Sequence, residues 1–509
     1  MLALAPAGAQ ARGFTYGVTA GEISSSSALV WTRPDKAGKV ILELSTNRRF
    51  GEAQDIVKNG NATAANDNTV QVKVSGLKPG TRYYYRFSQG KNVSSVGRFA
   101  TAPPANKAKT VSFAYSGDAD AQPAVGSTTP FYNVFEVYKR MAAEGNDFNV
   151  NFGDTIYSDS EVAGAPPALT VAEKWAKYKQ NLALKNLQAV RSSTGMYNHW
   201  DDHEFINDFT AGENPGPIYQ NGVSAFKNYM PVSYKASSGI YRTFRWGKNA
   251  EVFFLDERSF RSPKSSANHL CDNPDTGQPD LAPTAPQSKR NTFALLIPSL
   301  AKPVSQACLD SIRSPDRSML GASQYARFTA ALKKSNAKFK IIMNETPIQQ
   351  FYGLPYDRWE GYESERQKLL KYIQANVKNV VFLTTDTHAN FYNDARLSTF
   401  PEEGGPVNTG INEMVTGPAA TMTFSKEIDS ATGSPGAGDL LTSVFFKPPP
   451  PNGVGMTCAA PNVFSYTQVT VTSKAVTLAP KDLNGQPVRE NGSNGQPGPV
   501  CGPYTIPAK

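Results

Sequence analysis

In the first hundred positions, hydrophobic residues alternate with polar ones in short runs. Ala28-Leu29-Val30-Trp31, Val40-Ile41-Leu42-Glu43-Leu44, Val70-Gln71-Val72-Lys73-Val74 and Tyr83-Tyr84-Tyr85-Arg86-Phe87 are separated by stretches rich in Gly, Pro, Asn and Ser. A period of two puts alternate side chains on one strand face, so these runs predict half-buried strands in a small β-sandwich. From Val111 the pattern changes to short, mainly apolar runs at 111–115, 148–152, 251–255, 339–343 and 380–383. These predict buried strands. Apolar residues at helical spacing lie between them: Phe131, Val134, Phe135, Tyr138 and Met141, then residues 324–334 and 365–377. Strands alternating with helices indicate an α/β core.

The boundaries follow from this change of period. Residues 1–11, ending Ala9-Gln10-Ala11, have the form of a truncated export signal. Residues 12–103 make the sandwich, where the stretch from Gly76 to Tyr85 resembles the tyrosine corner of immunoglobulin- or fibronectin-like domains. Pro103-Pro104 begins the linker, and 104–509 is the catalytic part. Two stretches rich in Pro, Gly and Ser, roughly 262–319 and 423–462, are expected to be surface loops framing a site.

Charge and cysteines narrow the class. The net charge of +9 is spread along the chain, which suits an anionic substrate but predicts no specific nucleic-acid readout. No run of 18 apolar residues occurs, so no transmembrane segment is expected. Cys271, Cys308, Cys458 and Cys501 are even in number and lack zinc-site spacing, which favours two disulfides and an oxidising compartment, secreted or periplasmic. Local pairing, Cys271 with Cys308 and Cys458 with Cys501, is the simplest of the three connectivities. A monomer is expected.

Candidate chemistry gathers where strands end. Gly153-Asp154-Thr155-Ile156-Tyr157 places a carboxylate and a phenol three residues apart in a turn. Gly117-Asp118, Trp200-Asp201-Asp202-His203-Glu204, Met343-Asn344 and Thr385-Asp386-Thr387-His388 add Asp, Asn and His at other strand ends. Two of only four histidines stand beside acids in these motifs. With Asp154 as the bridge, Asp118, Tyr157 and His388 suit a hard trivalent ion such as ferric iron. Asp202, Asn344 and Asp386 complete an all-oxygen set for calcium or another oxygen-preferring divalent ion. A two-metal site of this kind hydrolyses phosphate esters by a metal-bound hydroxide. His203 is the candidate acid for the leaving group, and Arg258, with Arg261, could clamp phosphate oxygens, an ion pair with Asp256 or Glu257 being the competing role.

These motifs, together with Val96-Gly97-Arg98-Phe99-Ala100-Thr101-Ala102-Pro103 and Leu255-Asp256-Glu257-Arg258-Ser259-Phe260-Arg261, resemble the PhoD-like alkaline phosphatases and phosphodiesterases, relatives of purple acid phosphatases. The resemblance extends from Phe14 to about Val488. It implies a two-sheet α/β sandwich behind the N-terminal domain, and a secreted phosphoesterase holding ferric iron and calcium. Asp118 stands where that family commonly has Cys, and Thr385 where it has Gly. Small monoesters, nucleotide diesters and phospholipids, the last cleaved in the manner of a phospholipase D, are all open as substrates. A non-catalytic calcium-binding protein of the same fold is the alternative from another class.

Overall fold

A computed structural model describes residues 13–214, 216–492 and 496–509; the expected signal remnant, 1–11, lies outside the described residues. The alternating runs form two antiparallel sheets. Val18–Gly21, Ser27–Thr32 and Val70–Ser75 make one, and Gly38–Ser45, Ile56–Ala62, Arg82–Gln89, Asn92–Val93 and Gly97–Ala100 make the other. Val30, Val72 and Val74 from the first sheet meet Val40, Leu42, Leu44, Tyr85 and Phe87 from the second in a common core. Lys78 N donates to Tyr83 Oη at 2.9 Å, which pins the turn before that strand as a tyrosine corner does.

The larger part is built on two more sheets. In the six-stranded one the order is Gly195–His199, Phe148–Phe152, Val111–Ser116, Ser465–Val471, Ala475–Asp482 and Tyr504–Pro507. Its first three strands are parallel and the rest antiparallel. The seven-stranded sheet runs Arg242–Trp246, Ala250–Phe254, Phe339–Asn344, Val380–Thr384, Asn412–Val415, Asn390–Asp394 and Cys458–Ala460. Alternate residues sort between its two faces. Val252, Phe254, Ile341, Met343, Val381 and Leu383 join Phe113, Val150 and Phe152 of the other sheet. Phe253, Ile342 and Phe382 instead pack on Phe328, Leu332, Leu369 and Ile373 of helices Gly321–Lys334 and Glu363–Asn376. Ala114 and Met196 cover the far face with helices Glu136–Ala143 and Lys185–Ser193. The result is helix, sheet, sheet, helix, and truncating an inter-sheet residue such as Ile341 to Ala would cost roughly 2–5 kcal/mol.

Two expectations are corrected. The helix expected from Phe131 begins only at Glu136. Asn133 Oδ1 accepts from Phe135 N at 2.7 Å, and Phe135 has a left-handed φ of 64°, so residues 131–135 turn instead. The stretches read as irregular loops contain helices Gln287–Phe293, Gln306–Ile312, Phe424–Thr432 and Ala437–Leu441. Both disulfides form in the simplest pairing, Cys271–Cys308 and Cys458–Cys501. The second joins an edge strand of the seven-stranded sheet to the segment leading into the edge strand of the six-stranded sheet, where Tyr392 and Tyr504 stack with centroids 3.9 Å apart. Among the described residues no helix is long and apolar enough to cross a membrane.

Candidate metal centre

Parallel strands end on the same side of a sheet. Val111–Ser116, Phe148–Phe152 and Gly195–His199 therefore deliver Asp118, Asp154 and the Asp201-Asp202 pair to one rim. Val380–Thr384 brings Asp386 and His388 from the other sheet, and Thr385 Oγ1 donates to Phe152 O at 2.9 Å across the junction. The turns are tight. Asp118, Asp154, Asp386 and His388 all have left-handed φ, at 58°, 46°, 63° and 55°, a conformation that non-glycine residues hold at a cost and that clusters at functional sites. Gly153 is required as well: its φ is 81°, and a Cβ there would lie 2.9 Å from Asp201 Cβ. Glu204 locks two of the turns together, accepting from Thr155 N at 2.6 Å and Asp201 N at 2.8 Å.

The ligand atoms converge in three overlapping groups, each within 4.8 Å: Asp118 with Asp154 and His388, Asp154 with Asp202 and His203, and Asp201 with Asp202 and Asp386. Tyr157 Oη lies 3.0 Å from His388 Nε2, and Glu427 binds His388 Nδ1 from behind. Above them is a cavity of about 360 Å³ walled by Asp154, Tyr157, Asp202, His203, Asp386 and His388, with Arg358 alongside. Burial pushes Asp118 up to about 7, with Asp202 adding to the shift and His388 opposing it. Burial, then neighbouring carboxylates, raises Asp154, Asp201 and Asp386 well above the usual carboxylate range. Asp118 Oδ2 and Asp201 Oδ2 are buried without a hydrogen-bond partner. So many crowded, under-satisfied oxygens fit hard cations, which supply the missing positive charge and the missing partners.

The model of the PhoD-like phosphatases matches residues 123–443, well over half of the chain, and that of their N-terminal domain matches 2–103. The chain belongs to the PhoD-like phosphatase family. Alkaline phosphatase D of Bacillus subtilis (strain 168) is 25% identical over an alignment of 426 positions that covers 74% of this chain and 65% of the relative, just under two thirds of its length. Among solved structures, PhoD superposes with a TM-score of 0.71 at 21% identity, over 96% of this chain and 95% of that one. A purple acid phosphatase from yellow lupin (Lupinus luteus) seeds gives 0.50 at 12%, over 92% and 72%. Both are likenesses of fold, and they extend to the paired sheets.

In this PhoD-like chain Asp118, Asp154, Tyr157, Asp202, His203, Asp386 and His388 come together. Two expected residues do not take the places read for them. Asn344 is fully buried and does not line the cavity: its Oδ1 accepts from Trp359 Nε1 at 3.1 Å and its Nδ2 donates to Thr346 O. Arg258 is also fully buried, and its guanidinium is engaged by carboxylates rather than open to an anion. Nε donates to Asp201, Nη1 donates to Asp357 at 2.7 Å, and Nη2 lies 3.4 Å from Asp386. Its partners are thus neither Asp256 nor Glu257 through the guanidinium. Burial alone would raise Asp357, but Arg258 and Arg261 hold it well below the usual range. The arginine on the cavity wall is Arg358, with Nε 4.0 Å from Asp386 Oδ2.

Other groups at the site escaped the sequence reading. Asp159 Oδ1 sits 2.6 Å from His203 Nδ1, and its place two residues after Tyr157 was a usable signal. Burial opposes protonation of His203, but Asp202, Asp154 and Asp159 raise its pKa well above the ordinary imidazole value. Glu427 comes from helix Phe424–Thr432, inside a stretch whose composition indicated only loop. Asp201 was passed over in favour of its neighbour Asp202. His199, by contrast, is fully buried, with Nε2 2.8 Å from Glu345, and is structural.

Proposed function

We propose that the chain is an exported, metal-dependent hydrolase of phosphate monoesters or diesters. The observation that carries this reading is Asp154, the one carboxylate common to the Asp118–His388 group and the Asp202–His203 group. Asp118, Asp154, Tyr157 and His388 would hold ferric iron, and Asp154, Asp202 and Asp386, with Asp201 close by, would hold calcium or a similar divalent ion. When bound, the pair neutralises the carboxylates, polarises a phosphoryl oxygen and makes water a nucleophile at neutral pH.

The chain's own groups do the rest. Asp159 fixes the ring of His203 and leaves Nε2 to carry the proton given to the departing oxygen. Arg358 offers a fixed positive charge to a phosphoryl oxygen at the cavity wall. Arg258 balances Asp201 and Asp357 and so positions Asp386, a role behind the site. The two disulfides support export, and residues 12–103 are read as a separate sandwich domain ahead of a monomeric catalytic unit.

Metal analysis of the purified protein, with a panel of monoester and diester substrates, tests the reading. Iron and a divalent ion in equal amounts, with hydrolysis lost on their removal, is the expected result. A Tyr157-bound ferric ion also makes the protein coloured, and Tyr157→Phe should abolish the visible band while the fold is kept. A colourless, fully active enzyme holding only divalent ions would exclude iron and leave the two-metal hydrolysis standing.

A further inference from the structure

A second cavity, of about 140 Å³, adjoins the metal cavity and shares Leu354 and Arg358 with it. Its chemistry is the opposite. Phe293, Leu296, Phe424, Ile428, Leu441 and Phe446 line it, and carbon makes up almost the whole wall. A dry cavity of about 150 Å³ with Leu, Ile and Phe walls is known to accept benzene, so the space suits an apolar group of roughly that bulk.

Three observations tie this space to the phosphate site. Helix Phe424–Thr432 serves both: Glu427 holds His388 Nδ1 and Phe424 N donates to His388 O at 3.0 Å, while Phe424 and Ile428 face the apolar space. Arg358 lies over the ring of Phe351, another lining residue, 5.3 Å from its centroid, with its guanidinium within reach of Asp386. Leu354, at the junction, is 47% exposed and has a left-handed φ of 50°, strain that a bulky apolar residue in a mere surface turn has no reason to carry. Leu440 and Val444, next in the chain to lining residues, are exposed too.

We propose that this cavity is a subsite for an alkyl or aryl ester group of the substrate, seated while the phosphoryl group stands between Arg358 and the carboxylate cluster. The substrate class is then a phosphate ester with one apolar ester group, in preference to wholly polar esters. The inference rests on the phosphoesterase reading for its chemistry, but the subsite can be measured without turnover.

Calorimetry on the metal-loaded protein with n-hexylphosphonate and methylphosphonate is the test. Hexylphosphonate should bind on the order of tenfold tighter or more, since each methylene in an apolar pocket contributes measurably to discrimination. Leu296→Trp and Leu441→Trp, two independent ways of filling the space, should bring the ratio close to unity. Both should leave kcat/KM for glycerol 3-phosphate, whose ester group is polar, within about twofold of wild type when read as phosphate release, because neither residue belongs to the metal site. Equal binding of the two phosphonates by wild type, or a preference that survives both substitutions, overturns the subsite. Preferential hexylphosphonate binding by a protein that hydrolyses no ester would support the subsite and defeat the activity reading instead.

Discussion

Asp154 and Asp202 each belong to two of the three ligand groups, but only Asp154 links the group proposed for iron to the rest, and their loss should differ accordingly. Asp154→Ala is expected to empty both metal sites and abolish hydrolysis. Asp202→Ala should retain most of the iron while losing the divalent ion. Elemental analysis of the two purified variants checks this, and full occupancy in Asp154→Ala would falsify the bridging role. Asp159 acts through His203, so Asp159→Asn should lower kcat about 10- to 100-fold with little change in KM, as for other groups that orient a functional histidine. A raised KM with unchanged kcat would show instead that Asp159 serves binding. That these acids and histidines come together was legible at this scale because the motifs recur at several strand ends, although each acid alone could be a helix cap or turn residue. Arg258 and Asn344 lie off the cavity wall for one physical reason: a side chain's place is set by the partner that reaches it, and Asp357 and Trp359 come from a turn whose position the sequence does not reveal.

That turn is an element in its own right. Tyr356 lines the metal cavity, and its Oη donates to Asp280 O at 2.8 Å and approaches Cys271 O at 3.3 Å, beside the Cys271–Cys308 bond. The disulfide thereby supports the segment bearing Asp357 and Arg358. Closing a loop with a sequence separation of 37 stabilises by up to about 4 kcal/mol in the chain-entropy view. Cys271→Ser/Cys308→Ser should lower the melting temperature. It should also reduce kcat/KM at temperatures where the fold is intact by circular dichroism; unchanged kcat/KM there would confine the bond to stability. Strands and their faces were readable from period and run length. Helix Phe424–Thr432 was not, because its neighbours are rich in Gly and Pro and one of its two acids, Glu427, finds His388 only in the folded state.

Across the whole molecule, the proposed ligands come from both sheets, so bound ions join the halves of the sandwich. Chelation should then destabilise the protein as a unit, by about 2.7 kcal/mol relative to metal at a hundred times its dissociation constant. Scanning calorimetry with and without chelator measures this, and coincident transitions would mean that the ions do not bind across the sheets. The topology also bears on time. Val111–Ser116, which leads to Asp118, pairs on one side with Ser465–Val471, a partner that follows it by some 350 positions and comes after every proposed ligand. During synthesis or translocation that edge has nothing to pair with, although the residues of the site already exist. Contacts so distant in sequence make folding slow, and an open apolar edge invites the wrong neighbour. The sheet that begins the metal site is thus among the last structures to be completed, and the protein is most prone to aggregate shortly before it can first hold its ions.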